Sequence, residues 1–463
     1  MRRIHKGDKL PSTRFLAEYL EVSRSTVELA YGQLVSEGYV KSEACRGYFV
    51  CDVSEIYDLK LSDRGLTGKE ECVSGDLTDG FGETYPDFWQ ETYQPEACEL
   101  DFSPSGADLS AFPFKVWSNL TRNLLLDHGR ELFLSGNPAG DLLLRQAIAD
   151  YLHRARGVNC LAEQIVVGAG NEYLQMLLRQ ILYTHHVVAM ESPTYLPAYQ
   201  TFSNLGFQVS TVGMDKDGIS IHQLEESGAT IAYVMPSHQF PTGIVMPMKR
   251  RLELLKWASR IPDRYIIEDD YDSEFRYRGK PIPSLQGSDR FGNVIYLGTF
   301  SRSIAPATRV SYMVLPMQLL KRYYETCGFY ASTVPRIMQS TIYEFIAGGY
   351  FERNLNKMRA VYKRRHEVLL DKLKNCSWCQ AVQGEHSGLH LLAQLPAHCS
   401  ETEIVQQCKE AGVRVYGLSE YCVDEKTKRG PGVLILGFGG LDEQQIETGL
   451  EKISVVLEKC MSP

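Results

Sequence analysis

The spacing of apolar residues in the first fifty positions predicts two short helices followed by two short strands. Each predicted helix follows a serine, a favoured N-cap residue, and repeats apolar residues at helical spacing: Ser12 precedes Phe15, Leu16, Tyr19 and Leu20, and Ser23 precedes Val27, Ala30, Tyr31 and Leu34. Gly38 is predicted to end the second helix, and 39–41 and 47–50 are predicted strands around a turn. This order is typical of a winged helix-turn-helix, although any small amphipathic helix pair gives a similar pattern.

From about residue 99 onward, short apolar segments alternate with helical patterns. A helix is predicted from 174 to 182, and buried strands are predicted at 164–167, 187–190, 231–235, 265–268 and 294–297. This alternation predicts an α/β domain with a mostly parallel central sheet. Ligands bind where the carboxyl ends of such strands open, so the polar residues after each strand are the candidates for chemistry.

Composition favours a protein of the cytoplasm. Of the 463 residues, 44% are hydrophobic and 23% are charged, as in soluble globular proteins. The sequence has neither a run of about 18 apolar residues nor a signal peptide. Its twelve cysteines have no regular spacing, and we interpret them as reduced thiols; Cys376 and Cys379 lack the second pair or histidine cluster of a metal site.

The acidic excess behind the net charge of −8 is concentrated in one stretch. Residues 51–100 contain 3 Lys and Arg against 13 Asp and Glu, whereas residues 1–50 contain 8 against 6. We therefore predict an acidic linker over 52–98, between a DNA-binding domain over 1–51 and a larger domain over 99–463. A smaller C-terminal α+β subdomain is expected from about residue 350.

Four groups of residues after predicted strands suit a planar, phosphorylated ligand. Glycines at a helix start and hydroxyls beside an arginine suit phosphate, an aromatic ring suits stacking, and an aspartate can pair with a protonated pyridine nitrogen. The groups are Gly168–Glu172, Glu191–Tyr195, Ile266–Asp272, and Gly298–Ser303 with Arg309. Taken singly, each has a simpler explanation: a steric glycine, a core tyrosine, a metal-binding or solvated acidic loop, or an ordinary turn.

The first fifty residues resemble the winged helix of the GntR type. The matching strings include Pro11–Arg14, Val22–Val27, Glu37–Tyr39 and Gly47–Val50. The resemblance implies binding to a DNA operator as a dimer, with the second helix in the major groove. The residues expected at the DNA are Ser12, Arg14, Ser23, Arg24, Ser25, Thr26 and Arg46. That family has a further helix before this segment, and we expect it to be missing here because only Met1–Leu10 precede.

The rest of the chain resembles the fold type I aminotransferase domain, and the whole chain resembles the MocR family, which joins that domain to a GntR-type winged helix. The strings Ser237–Gly243 and Glu268–Phe275 are the most specific. The resemblance implies binding of pyridoxal 5'-phosphate and a homodimer, which could be head-to-tail. The residues expected to bind the cofactor are Ala169, Gly170, Asn171, Tyr195, His238, Asp269, Tyr271, Thr299, Ser301, Arg302 and Arg309.

The resemblance also implies a role for each of these residues. The backbone around Gly170 would hold the phosphate, with Thr299, Ser301 and Arg309 closing on it. Of the ring contacts, Tyr195 would stack on the pyridine, Asp269 would pair with its nitrogen, Tyr271 would hydrogen-bond the phenolic oxygen, and His238 would lie near the ring.

Three departures from the family argue against ordinary transamination. Arg302 occupies the position of the lysine that attaches the cofactor, and a guanidinium cannot replace that amine. No arginine is found near 434–436, where aminotransferases place the one that binds the substrate carboxylate. Ser135 lies where the fold often has a tyrosine that reaches the partner's phosphate.

These observations predict a transcription regulator that senses pyridoxal phosphate, or an adduct of it with an amine or amino acid, and binds the cofactor without a covalent bond. The alternative is a working aminotransferase with a vestigial DNA-binding domain, which the shortened N-terminus favours. A third alternative is that both activities are lost.

Overall fold

The computed structural model describes residues 7–44, 46–51, 98–183, 185–277, 282–424 and 431–461. The chain divides into two compact units, Met1–Pro95 and Glu96–Pro463, each described by itself below. Residues 52–97, which make up most of the acidic linker predicted over 52–98, lie outside the described residues.

The small unit has the predicted order of two helices and a hairpin, which are α1 (Thr13–Tyr19), α2 (Arg24–Ser36), β1 (Val40–Glu43) and β2 (Gly47–Val50). Both predicted N-caps are confirmed: Ser12 Oγ accepts the Phe15 amide at 3.2 Å, and Ser23 Oγ accepts the Thr26 amide at 3.2 Å. Gly38 follows α2 at a φ of +79°, a conformation that glycine adopts without strain. The two strands pair antiparallel and form the wing.

The core of the small unit is narrower than the apolar pattern suggests. Ala17, Val27 and Tyr31 are buried, and the Tyr31 hydroxyl donates to the Pro11 carbonyl at 3.0 Å. Leu34 is partly buried against them, but Ala30 is exposed, so its expected place in the buried stripe was wrong. The spacing identifies one face of a helix, and the extent of burial on that face depends on what packs there.

The large unit is built on an eight-stranded sheet in the order β4-β11-β10-β9-β8-β5-β6-β7. The pairs from β10 to β6 are parallel, while β11 and β7 run antiparallel to their neighbours, so the expected mostly parallel sheet is confirmed. Its strands are β4 (Ile165–Gly168), β5 (Val187–Ser192), β6 (Gln208–Asp215), β7 (Gly218–Ile219), β8 (Ile231–Val234), β9 (Tyr265–Asp270), β10 (Val294–Thr299) and β11 (Ser311–Val314). The central strands are buried because helices cover both faces, and they are largely apolar except at their carboxyl ends, where β5 and β9 carry acidic residues.

Three buried clusters pack helices onto this sheet. The helices are α3 (Phe114–Leu132), α4 (Leu142–Arg156), α5 (Asn171–Leu182), α6 (Leu196–Asn204), α7 (Ile221–Glu226), α8 (Met248–Ser259), α9 (Met317–Thr326) and α10 (Arg336–Ala347). Of these, α5 begins directly after β4, and its N-terminus therefore lies at the carboxyl edge of the sheet.

The C-terminal part forms the expected smaller α+β layer around its own core. It contains the long helix α11 (Tyr350–Asn375), helices α12 (Glu401–Glu410) and α13 (Glu443–Met461), and an antiparallel sheet of β12 (Ala381–Gln383), β13 (His390–Gln394), β16 (Val433–Gly437) and β15 (Tyr416–Gly417). An early strand, β3 (Leu100–Asp101), pairs with β14 (Val413–Arg414) and brings the start of this unit to its C-terminal layer.

Two arginines that belong to basic runs of the sequence are buried rather than exposed. The runs at 249–251 and 363–365 are typical of solvated helix faces, but Arg251 is 1% exposed and Arg365 is 5% exposed. The Arg251 guanidinium donates to three backbone carbonyls, and Arg365 pairs with Asp108 at 2.6 Å. Hydrogen bonds to backbone carbonyls and to a carboxylate offset the cost of burying these cations.

Candidate functional site

A cleft of about 860 Å³, open to solvent, lies at the carboxyl edge of the large sheet. It is lined by Ser105, Asn171, Glu172, Tyr195, Met235, Phe240, Asp269, Tyr271, Thr299, Ser301, Arg302, Pro306, Arg309 and Ser311. Eight of the eleven residues expected at the cofactor therefore meet in one cleft, although they come from five separate segments of the chain. Of the other three, Ala169 and Gly170 directly precede Asn171, and His238 lies behind Tyr271.

Asp269 is the buried acid of this cleft. It stands near the end of β9, is 3% exposed, and accepts hydrogen bonds from the Tyr233 hydroxyl and, at 3.5 Å, from Asn171 Nδ2. Burial raises the pKa of Asp269 to about 7, and nearby Asp270 and Asp272 push it the same way, while the Tyr233 hydrogen bond opposes them. A buried carboxylate of this kind is stabilised most by a cationic partner, because the ion pair offsets the free-energy cost of burying its charge.

A hydrogen-bonded group behind the cleft orients the Tyr271 hydroxyl. Nδ1 of His238 lies 2.8 Å from Asp272 Oδ2 and 2.9 Å from the Tyr271 oxygen. Since a carboxylate only accepts, the ring proton belongs on Nδ1, and the Tyr271 oxygen then accepts from it as well. This group holds the Tyr271 hydroxyl at the wall of the cleft, where it can contact a ligand.

The opposite end of the cleft is suited to an anion. The N-terminus of α5 opens there after Gly170, whose φ is +95° and where a Cβ would come within 2.5 Å of Arg309 Nη2. The hydroxyl of Thr299 lies 2.9 Å from Ser311 Oγ and accepts the Ser301 amide at 3.1 Å. These hydroxyls, the helix end and the guanidinium are typical of a phosphate site.

Two observations modify the expected phosphate contacts. The Ala169 amide donates to Thr333 Oγ1 at 3.1 Å, so this backbone group already has an acceptor. Arg309 pairs with Glu172 at 2.7 Å, and the two side chains are 56% and 48% exposed. The sequence interpretation included Glu172 in the group 168–172 but gave it no role, because an acid in the first turn of a helix is also ordinary stabilisation of the helix end.

Arg302 lies in the cleft, half-buried, beside the ring-binding residues. Its Nη2 lies 3.3 Å from Ser105 Oγ and 3.4 Å from the Pro104 carbonyl. Its positive charge acts to lower the pKa of Tyr195 and of Tyr271, although burial, the largest effect, raises both. The guanidinium thus lies on the Tyr271 side of the cleft, which is called the ring end below because the pyridine ring is proposed to bind there.

The structure also shows where the other two departures from the family lie, the missing arginine near 434–436 and the serine at position 135. Segment 434–436 is the middle of β16, and its three side chains are fully buried, those of Leu434 and Leu436 in the C-terminal core. A substrate carboxylate therefore finds no cation there. Ser135 is exposed on the loop after α3.

A second charged network lies under the cleft and was not found from the sequence. Arg156 Nε pairs with Asp270 at 2.7 Å, and Asp270 also accepts the Tyr296 hydroxyl at 2.5 Å. Burial, the largest single effect, lowers the pKa of Arg156, but Asp270, Tyr296 and Glu268 together raise it by more, so the guanidinium stays charged. This pair holds the end of β9, and with it Asp269, against helix α4.

The residues expected at DNA lie at two places on the small unit. Ser23, Arg24, Ser25 and Thr26 form the start of α2, where Ser23 Oγ lies 2.7 Å from both other hydroxyls. Arg24 is exposed and pairs with Glu28 at 2.8 Å, and Arg46 on the wing pairs with Glu43 at 2.6 Å. The structure places Ser12 and Arg14 at the start of α1. All seven belong to the two helix starts and the wing.

Within the described ranges, no helix is both long and apolar enough to cross a membrane. In the same ranges, no group of three or more His, Cys, Asp and Glu is arranged to hold a metal ion. His390 is buried, and its Nε2 lies 2.8 Å from the Pro241 carbonyl.

Comparison with known proteins identifies both parts of the chain. Residues 2–50 match the model of bacterial regulatory proteins of the gntR family, and residues 107–453 match aminotransferase class I and II. In fold, the chain is similar to a kynurenine aminotransferase of Pyrococcus horikoshii, with a TM-score of 0.71 at 22% identity over 82% of this chain and 96% of that one. The molecule is thus a GntR-type DNA-binding domain joined to an aminotransferase-fold domain.

Relatives that cover nearly the whole chain carry the same combination. The HTH-type transcriptional regulator YdeL of Bacillus subtilis is 37% identical over 97% of this chain and 92% of its own length. The probable rhizopine catabolism regulatory protein MocR of Rhizobium meliloti is 30% identical over 96% and 88%. The chain belongs to the MocR family of transcriptional regulators. Its two domains imply binding of DNA and of pyridoxal phosphate.

The residues of the cleft fit pyridoxal phosphate. Asn171 Oδ1, at the start of α5, is a buried acceptor with no hydrogen-bond partner among the described residues. Asp269 suits the pyridine nitrogen, and the cluster around Thr299 and Arg309 suits the phosphate. At position 302, where the family has its lysine, the side chain is an arginine.

Proposed function

We propose that the protein is a transcription regulator whose aminotransferase-like domain senses pyridoxal phosphate, or its adduct with an amine or amino acid, without turning over amino acids. The observation that carries this proposal is the position of Arg302 inside the cleft. A site that keeps its binding residues and lacks its reactive amine is suited to recognition rather than to turnover.

The proposal assigns each end of the cleft a binding role. Pyridoxal phosphate supplies an aldehyde and a pyridine ring that acts as an electron sink. Asp269 holds the positive charge at the ring nitrogen, Tyr271 donates to the phenolic oxygen, and Tyr195 covers the ring. Arg302 moves no proton, because a guanidinium remains protonated in proteins.

The deciding experiment measures DNA affinity and cofactor binding on the same preparation. Full-length protein is titrated by fluorescence anisotropy onto its own promoter region, with and without pyridoxal phosphate, and an amino acid is then added. We expect specific binding whose affinity changes with the ligand, and no transaminase activity. Steady transamination without a ligand effect on DNA binding would instead support the aminotransferase with a vestigial DNA-binding domain.

We expect Arg24→Ala to weaken operator binding by about 1–3 kcal/mol if this side chain reads a base from the start of α2. If it contacts phosphate alone, the loss will be similar for all sequences and the salt dependence will fall. Anisotropy titrations at several salt concentrations distinguish the two. Arg260→Ala is the matched control, because Arg260 is an exposed arginine of the large unit that also pairs with a glutamate. Equal affinity of wild type and Arg24→Ala at every salt concentration would refute the assignment.

We expect Glu172→Gln to raise the affinity for pyridoxal phosphate a few-fold. The substitution frees Arg309 and removes a negative charge from the start of α5, where the phosphate is proposed to bind. The gain is limited because both side chains are about half exposed, and it should shrink in high salt. Glu225→Gln, which removes the acid of an equally exposed pair away from the cleft, should leave the affinity unchanged. Unchanged or weaker binding by Glu172→Gln would contradict the assigned phosphate site.

We further propose that the protein is a homodimer, as its family membership implies. A head-to-tail arrangement of the two chains is one form that this dimer can take. A linker of about 46 residues, if it behaves as a flexible coil, spans on the order of 35–40 Å, enough to reach across a dimer. Sedimentation at micromolar concentration is expected to give the mass of two chains. A monomer alone under these conditions would refute this proposal.

A further inference from the structure

Arg302 is a cation of the cleft without a carboxylate partner. Its guanidinium makes two long contacts, to a hydroxyl and to a backbone carbonyl, and forms no ion pair within the part of the chain that the structure describes. Asp269, an acid of the same cleft, is already bound by Tyr233 and Asn171. A half-buried arginine with free donors is suited to an anionic ligand group.

This cation replaces two groups of the related enzymes at once. The amine that attaches the cofactor is gone, and the position of the carboxylate-binding arginine lies in the apolar middle of β16. Arg302 is thus the cation available at the ring end of the described cleft, while Arg309 lies at the phosphate end.

Ser105 adds a second donor on a firmly held loop. The loop 103–106 packs against the end of β16 so closely that a Cβ on Gly437 would lie 2.0 Å from the Ser103 carbonyl, and a Cβ on Gly106 would lie 2.9 Å from the Gly440 amide. The Gly437 amide also donates to the Phe102 carbonyl at 2.8 Å. These contacts fix Ser105 Oγ beside the guanidinium of Arg302.

We propose that Arg302 and Ser105 form a carboxylate site, so that the preferred effector is an adduct of pyridoxal phosphate with an amino acid, rather than with a simple amine or the cofactor alone. This inference rests on the proposed function and names its ligand class. The adduct forms in solution, where the amino group condenses with the aldehyde and releases one water, and no residue of the protein is needed for that step. The phosphate then binds near Arg309 and the carboxylate near Arg302.

Two stable probes differ only in the carboxylate. Reduction of the condensation products of pyridoxal phosphate with L-alanine and with ethylamine gives phosphopyridoxyl-L-alanine and phosphopyridoxyl-ethylamine. Isothermal titration calorimetry on the full-length protein should show at least tenfold tighter binding of the alanine probe. The preference should fall to within about twofold in Arg302→Gln, and by a few-fold in Ser105→Ala. Arg302→Gln should still bind phosphopyridoxyl-ethylamine, which has no carboxylate, with close to the wild-type affinity.

The outcomes separate this inference from the proposed function. Equal affinity for the two probes in the wild type, or a preference that persists in Arg302→Gln, would overturn the carboxylate site while leaving cofactor sensing intact. If the protein binds pyridoxal phosphate but neither probe, the carboxylate site is likewise overturned and cofactor sensing stands. If pyridoxal phosphate and both probes all fail to bind, the proposed function and the inference fall together. Loss of the preference in Arg302→Gln with unchanged binding of phosphopyridoxyl-ethylamine supports charge recognition independently of any effect on folding.

Discussion

Replacing Arg302 by lysine is expected to turn a protein that holds pyridoxal phosphate without a covalent bond into one that attaches it covalently. The cleft around this position keeps Asp269, Tyr271 and the phosphate-binding cluster, so the lacking element is the amine itself. Lysine is shorter than arginine, and its amine can become a nucleophile where a guanidinium cannot. After borohydride reduction, mass spectrometry should show one cofactor per chain in Arg302→Lys and none in the wild type.

The matched control is Arg309→Lys, which introduces the same amine at the phosphate end of the same cleft. It should not be labelled, because the aldehyde is proposed to lie at the ring end. Peptide mapping should place the label of Arg302→Lys at position 302. A covalent cofactor in the unmodified protein, or amino-acid turnover by it, would show that another lysine does this chemistry. Failure of Arg302→Lys to acquire the cofactor would place a further defect elsewhere in the cleft.

Asp269→Asn is expected to weaken binding of pyridoxal phosphate by about 2–4 kcal/mol, roughly 30- to 1,000-fold, because it removes one partner of a buried charged hydrogen bond. The same substitution should stabilise the ligand-free protein at alkaline pH. The folded-state pKa of Asp269, raised by burial to about 7, lies above its ordinary value of 3.8. The folded state therefore keeps the proton longer, and stability is lost as pH rises through this window.

Chemical denaturation of the ligand-free protein at pH 5 and pH 8 tests the predicted effect of Asp269→Asn on stability. The gain from Asp269→Asn should be on the order of 2–4 kcal/mol at pH 8 and much smaller at pH 5. Asp215→Asn is the control with the opposite sign. The hydrogen bond from Arg250 lowers the pKa of Asp215. Removing the Asp215 charge should therefore destabilise the protein, and it should leave the cofactor affinity unchanged. An Asp269→Asn protein that binds the cofactor as tightly as the wild type would contradict the assignment of the ring nitrogen.

The sequence by itself determined the elements and the family. The serine caps of both N-terminal helices, the apolar strands of the large sheet and the order of the winged helix all followed from local patterns, and the structure confirms them. The strings at 237–243 and 268–275 led to the MocR family, which the comparisons show. These features are local because capping, strand burial and short motifs depend on residues close together in the chain.

Only the tertiary structure decided which residues face one another. Arg302 meets Ser105 across 197 positions, and Asp269 meets Tyr233 across 36, and no local pattern signals either contact. The burial of Arg251 and the exposure of Ala30 likewise depend on what packs against each helix, since the same periodicity fits a covered or an uncovered face. The chemistry of the cleft follows from such long-range contacts, because burial and neighbouring charges set the pKa of Asp269 and leave Arg302 with donors to offer.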